Sequence, residues 1–421
     1  MNKTIVFAVA AIAMASAGGA AARNLRVDVD KSHNLWWNAP ERPQVVLTVS
    51  DTLPSSSKKE SQLRFYVEAD TMPGKIVFER TVKVAAGSKD MPLAIDVPVP
   101  GPGFYRCFTS DDGNVINETV IGYEPTNVVS LPDSPADFNE FWARAKAELA
   151  EVPADTRLEL LPDESGKTRD MYRCTFRSWG GDTIEARVLI PKAPGMYPAI
   201  VYYNGYGARP WPMNADGNPG MIEMATSVRG QFYSLEGNKY GDWIRYSLDN
   251  PDGYYYKGAF MDAVRAVDVL ERLPKVDRGH IYAEGGSQGG ALTLAAAALS
   301  GGRLRAIAPY IPFLSDYPDY FRIVGWPASS VKDEASRLGL SDSRMYANLS
   351  YFDIKNFARL ITCPVLMGIG LQDTTCPPHT NMSSYNLITS PKELVIYPEC
   401  GHYVDYGDWN RRRDAFFKRW W

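Results

Sequence analysis

One serine in this chain stands where a nucleophile would need to stand. Ile281-Tyr282-Ala283-Glu284 is an extended apolar run, Gly285-Gly286-Ser287-Gln288-Gly289 fits the G-x-S-x-G pattern, and a helical pattern follows from Gln288 to about Leu299. A serine at a sharp strand-to-helix turn needs small neighbours, because the chain passes closely there, and its oxygen projects at a helix N-terminus that favours negative charge. The plain alternative is a glycine-rich turn that serves packing. A serine hydroxyl attacks an acyl carbon only when a base takes its proton, and the chain has four histidines: His33, His280, His379 and His402. His33 falls in an N-terminal region of different character. Seven residues of extended chain put His280 roughly 20 Å from Ser287, at the wrong edge of a sheet. His379 follows two prolines and reads as a capping or surface residue at a helix start. His402, in the loop Pro398-Glu399-Cys400-Gly401-His402 after an apolar strand, remains as the base. A carboxylate must hold that imidazole in one tautomer. Asp373, just past the strand Val365 to Gly370, supplies it, with Asp405 as the rival. The order Ser287, Asp373, His402 is the order of α/β-hydrolases. Developing negative charge on the substrate needs donors. The backbone N–H of Gln288 is one, and the backbone N–H of Tyr206 in Asn204-Gly205-Tyr206-Gly207 is the other, unless that segment is an ordinary turn.

These side chains need a scaffold, and the hydrophobic pattern predicts one. After about residue 126, apolar runs alternate with helices. The runs are Met171 to Trp179, Thr183 to Ile190, Ala199 to Tyr203, Ile281 to Gly285, Ala306 to Ile311, Val365 to Gly370 and Leu394 to Tyr397. The helices begin near Asp137, near Gly258 and at Gln288. In the second, Phe260, Ala263, Val264 and Val267 form one stripe. Such alternation means an α/β fold, with a mostly parallel sheet covered on both faces. Residues 23–125 follow a different rule. Leu63, Phe65, Val67 and Ala69 alternate with polar residues, as do Leu93, Ile95 and Val97, with turn residues at Leu53-Pro54-Ser55, Met72-Pro73-Gly74 and Pro100 to Gly103. That spacing predicts a small all-β immunoglobulin-like sandwich, joined at Glu124-Pro125-Thr126 to a hydrolase domain spanning 126–421. Structural docking and carbohydrate binding are both open roles for it.

Composition narrows the partners. The 421 residues carry 45 Lys plus Arg against 49 Asp plus Glu, a net charge of −4, so the basic footprint of a nucleic-acid binder is missing. Lys3, the apolar run Ile5 to Met14 and the small residues up to Ala22 read as a secretory signal over residues 1–22, which predicts a periplasmic or secreted protein. No later segment is long and apolar enough to be a membrane span. The five cysteines, Cys107, Cys174, Cys363, Cys376 and Cys400, show no zinc-ligand spacing, and a Cys376–Cys400 disulfide is left open.

Several separated motifs together carry a resemblance. Arg229-Gly230-Gln231, Gly285-Gly286-Ser287-Gln288-Gly289, Asp373-Thr374-Thr375-Cys376-Pro377-Pro378 and Gly401-His402 resemble the R-G-Q, G-x-S-Q-G, D-x-x-C-P-P and G-H motifs of the acetyl xylan esterase and cephalosporin C deacetylase family, carbohydrate esterase family seven. Tyr255 to Gly258, Asp262 to Ala266 and Leu349 to Asp353 are also similar. The resemblance implies an α/β-hydrolase fold and a serine triad without metal or cofactor. It implies removal of acetyl groups from acetylated carbohydrate, with Arg229 and Gln231 supporting the loops around the triad. Asn204 stands where the family often has His, and Tyr403 where it often has Glu. Phe313, Tyr206 and Trp243 are candidate walls of a tight acyl pocket. A peptidase on the same scaffold would need paired glutamates to anchor an amine, and none stands out. An inactive carbohydrate-binding or scaffold protein would not need Ser287, Asp373 and His402. Assembly as a homo-oligomer stays open, because the N-terminal unit is absent from the short members of the family.

Overall fold

The computed structural model describes residues 25–31, 35–52, 60–235 and 239–421. The expected signal segment, His33 and the Leu53-Pro54-Ser55 turn lie outside the described residues. Eight strands come first. β1 (Leu25–Val29), β3 (Gln44–Asp51) and β6 (Met91–Asp96) form an antiparallel three-stranded sheet in the order β1-β3-β6. β2 (Trp36–Trp37), β4 (Ser61–Ala69), β5 (Ile76–Val84), β7 (Gly103–Asp111) and β8 (Asn114–Tyr123) form a second sheet, ordered β2-β8-β7-β4-β5. Alternation along each strand decides what is buried: Val45, Leu47 and Val49 of β3 and Leu63, Phe65 and Val67 of β4 all enter the core. The two-residue β2 pairs with β8 only at Gly122 and Tyr123, so among the described residues most of that edge of β8 has no neighbouring strand.

The rest of the chain forms one nine-stranded sheet, ordered β17-β16-β15-β14-β12-β13-β11-β10-β9. Its strands are β9 (Arg157–Leu160), β10 (Arg169–Arg177), β11 (Thr183–Pro191), β12 (Tyr197–Tyr203), β13 (Ile222–Thr226), β14 (Val276–Gly286), β15 (Ala306–Tyr310), β16 (Val365–Gly370) and β17 (Lys392–Tyr397). The neighbours from β13 to β17 run parallel, and β11, β10 and β9 continue the sheet antiparallel. Helices α1 (Phe138–Ala150), α2 (Tyr255–Arg272), α3 (Gln288–Leu299), α8 (Pro378–Leu387) and α9 (Tyr406–Lys418) accompany the strands, and four short helices, α4 (Tyr317–Ile323), α5 (Ala328–Arg337), α6 (Asp342–Leu349) and α7 (Ile354–Phe357), fill the stretch between β15 and β16. Successive strand residues bury on opposite faces. Ala199, Val201 and Tyr203 share a core with α2 and α3, while Ile200 and Tyr202 share another with Trp409 and Phe416 of α9. The sheet is therefore apolar on both sides, which is why its parallel strands read as continuous hydrophobic runs. Among the described residues no helix is long and apolar enough to cross a membrane.

Candidate active site

Ser287 is the junction between β14 and α3, and its backbone is forced into φ 57°, ψ −121°. That conformation costs a non-glycine residue energy and has to be held in place. The Ser287 N–H donates to the Tyr310 carbonyl of β15 at 3.2 Å, and its carbonyl accepts from Phe313 N–H at 3.0 Å. Close packing explains the flanking glycines better than backbone freedom does. A Cβ on Gly289 would lie 2.3 Å from the Tyr203 carbonyl oxygen, so only glycine lets α3 start against the end of β12.

The loop after β17 brings His402 to this elbow. Its Nε2 lies 3.0 Å from Ser287 Oγ, and its Nδ1 lies 2.8 Å from Asp373 Oδ2. With Asp373 ionised, the network puts the ring proton on Nδ1 and leaves Nε2 to accept from the serine hydroxyl. The Asp373 side chain is sealed from solvent. Its other oxygen accepts the Thr375 and Cys376 N–H groups, each at 2.8 Å, so the carboxylate is fixed by its own loop before the imidazole reaches it. The arrangement can take a proton from an attacking hydroxyl and hold the resulting imidazolium. Asp405, the rival carboxylate, instead caps α9, accepting the Asp408 N–H at 3.0 Å.

The neighbouring loops are joined by an amide network. Gln231 and Gln288, 57 residues apart, exchange two hydrogen bonds of 3.0 Å through their side-chain amides. Gln231 Oε1 also accepts from Gly207 N–H at 3.0 Å and Asn204 Nδ2 at 2.9 Å, and its Nε2 donates to the Tyr255 hydroxyl at 2.9 Å. Gln288 Oε1 accepts from the Tyr256 hydroxyl at 3.1 Å. Gln231 therefore ties the loop carrying Tyr206 to the residue that follows Ser287. The Gln288 N–H opens α3 and has no acceptor within that helix. Arg229, 2% exposed, forks onto Asp262 of α2 with Nε at 2.8 Å and Nη2 at 2.6 Å, and reaches Asp182 and the Trp179 carbonyl. The bidentate pair more than offsets the burial of its guanidinium, whose pKa is raised.

Of the acyl-pocket candidates, Phe313 is buried beside Ser287 with its ring 5.5 Å from Tyr320. Trp243 packs edge-on to Tyr206 at 5.0 Å, and its buried indole N–H has no partner among the described residues. The Tyr206 hydroxyl donates to Asp242 at 3.0 Å and accepts the Ile244 N–H at 3.2 Å, which leaves its ring as a fixed wall.

Residues 127–419 match the family model described as acetyl xylan esterase (AXE1). The chain belongs to the acetyl xylan esterase family. It is a carboxylic ester hydrolase. Acetyl esterase Axe7A of Xylanibacter ruminicola is 28% identical over 360 residues, which cover 82% of this chain and 79% of that one. The acetyl xylan esterase from Paenibacillus sp. R4 superposes with a TM-score of 0.64 at 30% identity, covering 71% of this chain and 99% of its own. Acetyl xylan esterase 1 from Thermoanaerobacterium sp. JW/SL YS485 also gives 0.64, at 28% identity, with 70% and 97% coverage.

One question left open is answered in this esterase, and one expectation is corrected. All five cysteines are free and buried, so Cys376 and Cys400 form no disulfide. The Cys376 thiol contacts the Ser287 side chain instead, and burial, reinforced by Asp373, keeps it protonated. His379 is neither a cap nor a surface residue. It is 8% exposed, with Nε2 3.2 Å from Asp319 of α4 and Nδ1 3.3 Å from Asp70 of the N-terminal sheets, the latter close enough for an ion pair but not aligned as a hydrogen bond. Burial lowers its pKa, but the two carboxylates outweigh that and raise it to about 10. No spacing in the chain could have joined residues 70, 319 and 379.

Among the described residues, two clusters have ligand atoms within 4.8 Å of one another: Asp373, Cys376 and His402, and Asp316, Asp319 and His379. Neither suits a resident metal. The first would have to give up its bond to Ser287, and in the second Asp316 already holds the Lys355 ammonium at 3.0 Å.

Proposed function

We propose that this esterase removes acetyl groups from acetylated xylan, xylo-oligosaccharides and related sugars, with Ser287, His402 and Asp373 as its triad. His402 takes the Ser287 proton as Oγ attacks the acetyl carbonyl carbon. The backbone N–H groups of Gln288 and Tyr206 hold the oxyanion. The imidazolium passes its proton to the leaving sugar oxygen, and the carbon–oxygen ester bond breaks to leave acetyl-Ser287. Water, deprotonated by His402, then attacks that ester, and the imidazolium returns the proton to Ser287 Oγ as the acyl–oxygen bond breaks and acetate leaves. The observation that carries this reading is the unbroken line of hydrogen bonds from Ser287 Oγ through the imidazole to Asp373, at 3.0 and 2.8 Å, beginning at a strained elbow. Phe313, Tyr206 and Trp243 support a pocket sized for a short acid. Residues 1–22 read as an export signal that places the enzyme in the periplasm or outside the cell. Residues 23–125 read as an immunoglobulin-like sandwich and 126–421 as the hydrolase domain.

The test is p-nitrophenyl ester hydrolysis by the full chain and by Ser287→Ala. The expected result is acetate turnover well above octanoate turnover, with both abolished by the substitution. Fluorophosphonate should label wild type and not the variant. Retained turnover in Ser287→Ala would refute the triad, and preference for the eight-carbon ester would refute the small pocket.

A further inference from the structure

The acid of the triad is preceded by a residue that the triad does not use. Gln372 lies between Asp373 and the outer edge of β8. Its Oε1 accepts the Val120 N–H at 2.8 Å, and its Nε2 donates to the Val120 carbonyl at 3.2 Å. Val120 faces Arg106 of β7, and β2 pairs with β8 only at Gly122 and Tyr123. Since both polar backbone groups of Val120 turn away from β7, they need a partner on the open side. The primary amide of Gln372 supplies one donor and one acceptor, as an adjoining strand would. Its second amide hydrogen goes to the Pro398 carbonyl at 2.9 Å, just past β17, and its backbone N–H goes to the Cys400 carbonyl at 2.9 Å, two residues before His402. One residue thus touches the N-terminal sheet, the acid loop and the base loop.

We infer that Gln372 is a positioning residue, through which the N-terminal sheet sets the distance between Asp373 and His402. This rests on the triad reading above. The N-terminal unit meets the rest of the chain at other places too, but those do not lead to both loops. Asn386 of α8 donates to the Pro125 and Val128 carbonyls at 3.0 and 2.9 Å, near the linker and on the far side of α8 from Asp373 in sequence. His379 bridges Asp70 and Asp319. Docking alone could be met by these. Among the described residues, only the Gln372 contact joins Val120 to the segments on which the acid and the base are mounted. Displacements of about 1 Å at a catalytic group cost on the order of 100-fold in rate, so loss of this clamp should appear in kcat rather than in substrate affinity.

The experiment compares the full-length wild type with Gln372→Leu, Gln372→Glu and Asn386→Ala, using p-nitrophenyl acetate, with active sites counted by fluorophosphonate labelling carried to completion. Leucine keeps the bulk and loses three side-chain hydrogen bonds. The expected result is a fall of roughly 10-fold or more in kcat per labelled site, with KM within about twofold. Gln372→Glu keeps an acceptor for Val120 N–H but turns a carboxylate toward two carbonyls. It should lose kcat likewise, and it carries the test if the leucine variant does not fold. Asn386→Ala should keep wild-type kcat, because it loosens docking without touching either loop. Wild-type kcat in a folded Gln372 variant would overturn the inference, as would an equal loss in Asn386→Ala. Failure of the triad reading shows separately, as turnover surviving in Ser287→Ala.

Discussion

Five hydrogen bonds converge on the side chain of Gln231, from Asn204, Gly207 and the Gln288 amide, and to Tyr255 and Gln288. Gln231 is fully buried, as are Asn204, Tyr255 and Gln288, so these three partners have no water to replace it if it is lost. The chemical consequence is specific, because Gly207 follows Tyr206 and Gln288 follows Ser287. Both proposed oxyanion donors are therefore held by one amide. Gln231→Leu, similar in size but without polar atoms, should release the Tyr206 loop and tilt the start of α3. The expected outcome is a loss of about 100-fold in kcat/KM for p-nitrophenyl acetate, the scale of losing one oxyanion donor, with labelling by fluorophosphonate slowed but not abolished. An unchanged kcat/KM in folded Gln231→Leu would mean that the donors are held by other groups. The R-G-Q segment is thus a tie between loops as well as a sequence marker. Arg229 anchors it to α2, and Gln231 distributes that anchor to two loops.

At the scale of elements, α2 shows how a local preference can be reversed by what packs on it. Gly258 sits inside this helix, where alanine would ordinarily be favoured by about 1 kcal/mol. A Cβ at Gly258 would lie 2.4 Å from Arg229 Nη1. That guanidinium cannot step aside cheaply, since it is held by Asp262, Asp182 and the Trp179 carbonyl in a site closed to solvent. Gly258→Ala should therefore lower the Tm and kcat/KM together, and a raised Tm with full activity would show that Arg229 has room to move. The same element marks what could be read from the chain alone. Its stripe of Phe260, Ala263, Val264 and Val267 was legible, but its nearly complete burial, Lys257, Asp262 and Arg265 included, was not, because Glu148, the Leu149 and Val152 carbonyls and Arg229, which cover these charges, come from other segments. α3 and β16 were legible to the residue, since a glycine-flanked serine and an uninterrupted apolar run mark their ends. β13 escaped because Glu223 interrupts a five-residue run; it is tolerated there by Arg169 at 2.8 Å. The helices between β15 and β16 escaped because each is short, ten residues or fewer, and helices of that length depend on tertiary contact. In the site, residue order pointed to Ser287, Asp373 and His402. Gln372 could not be found that way, because its partner Val120 lies 252 residues away.

At the scale of the whole molecule, the N-terminal sheets and the hydrolase sheet are joined by a buried charge as well as by hydrogen bonds. His379 on α8 lies between Asp70, which follows β4, and Asp319 on α4, with the ring of Phe104 6.2 Å away. The two carboxylates raise the histidine from its ordinary 6.5 to about 10, against the effect of burial. A group whose pKa is raised on folding stabilises the fold fully below its unfolded value, and that stabilisation is lost as the pH climbs through the folded value. For His379 the window runs from about 6.5 to about 10. Part of the fall in Tm of wild type between pH 7 and pH 10 should therefore come from this bridge. Asp70→Asn removes one anion and leaves the imidazolium half-compensated in a buried site, a change on the order of 3 kcal/mol when a buried pair is broken. Scanning calorimetry should then show a lower Tm at pH 7 and a shallower decline toward pH 10, wild type and variant converging as the histidine loses its proton. Parallel declines would mean that the Asp70 contact contributes nothing to holding the sheets together. Because Asp70 touches neither Gln372 nor the loops that carry Asp373 and His402, the variant should turn over acetate normally at temperatures where it stays folded, which separates the bridge that holds the units together from the clamp that aligns the triad.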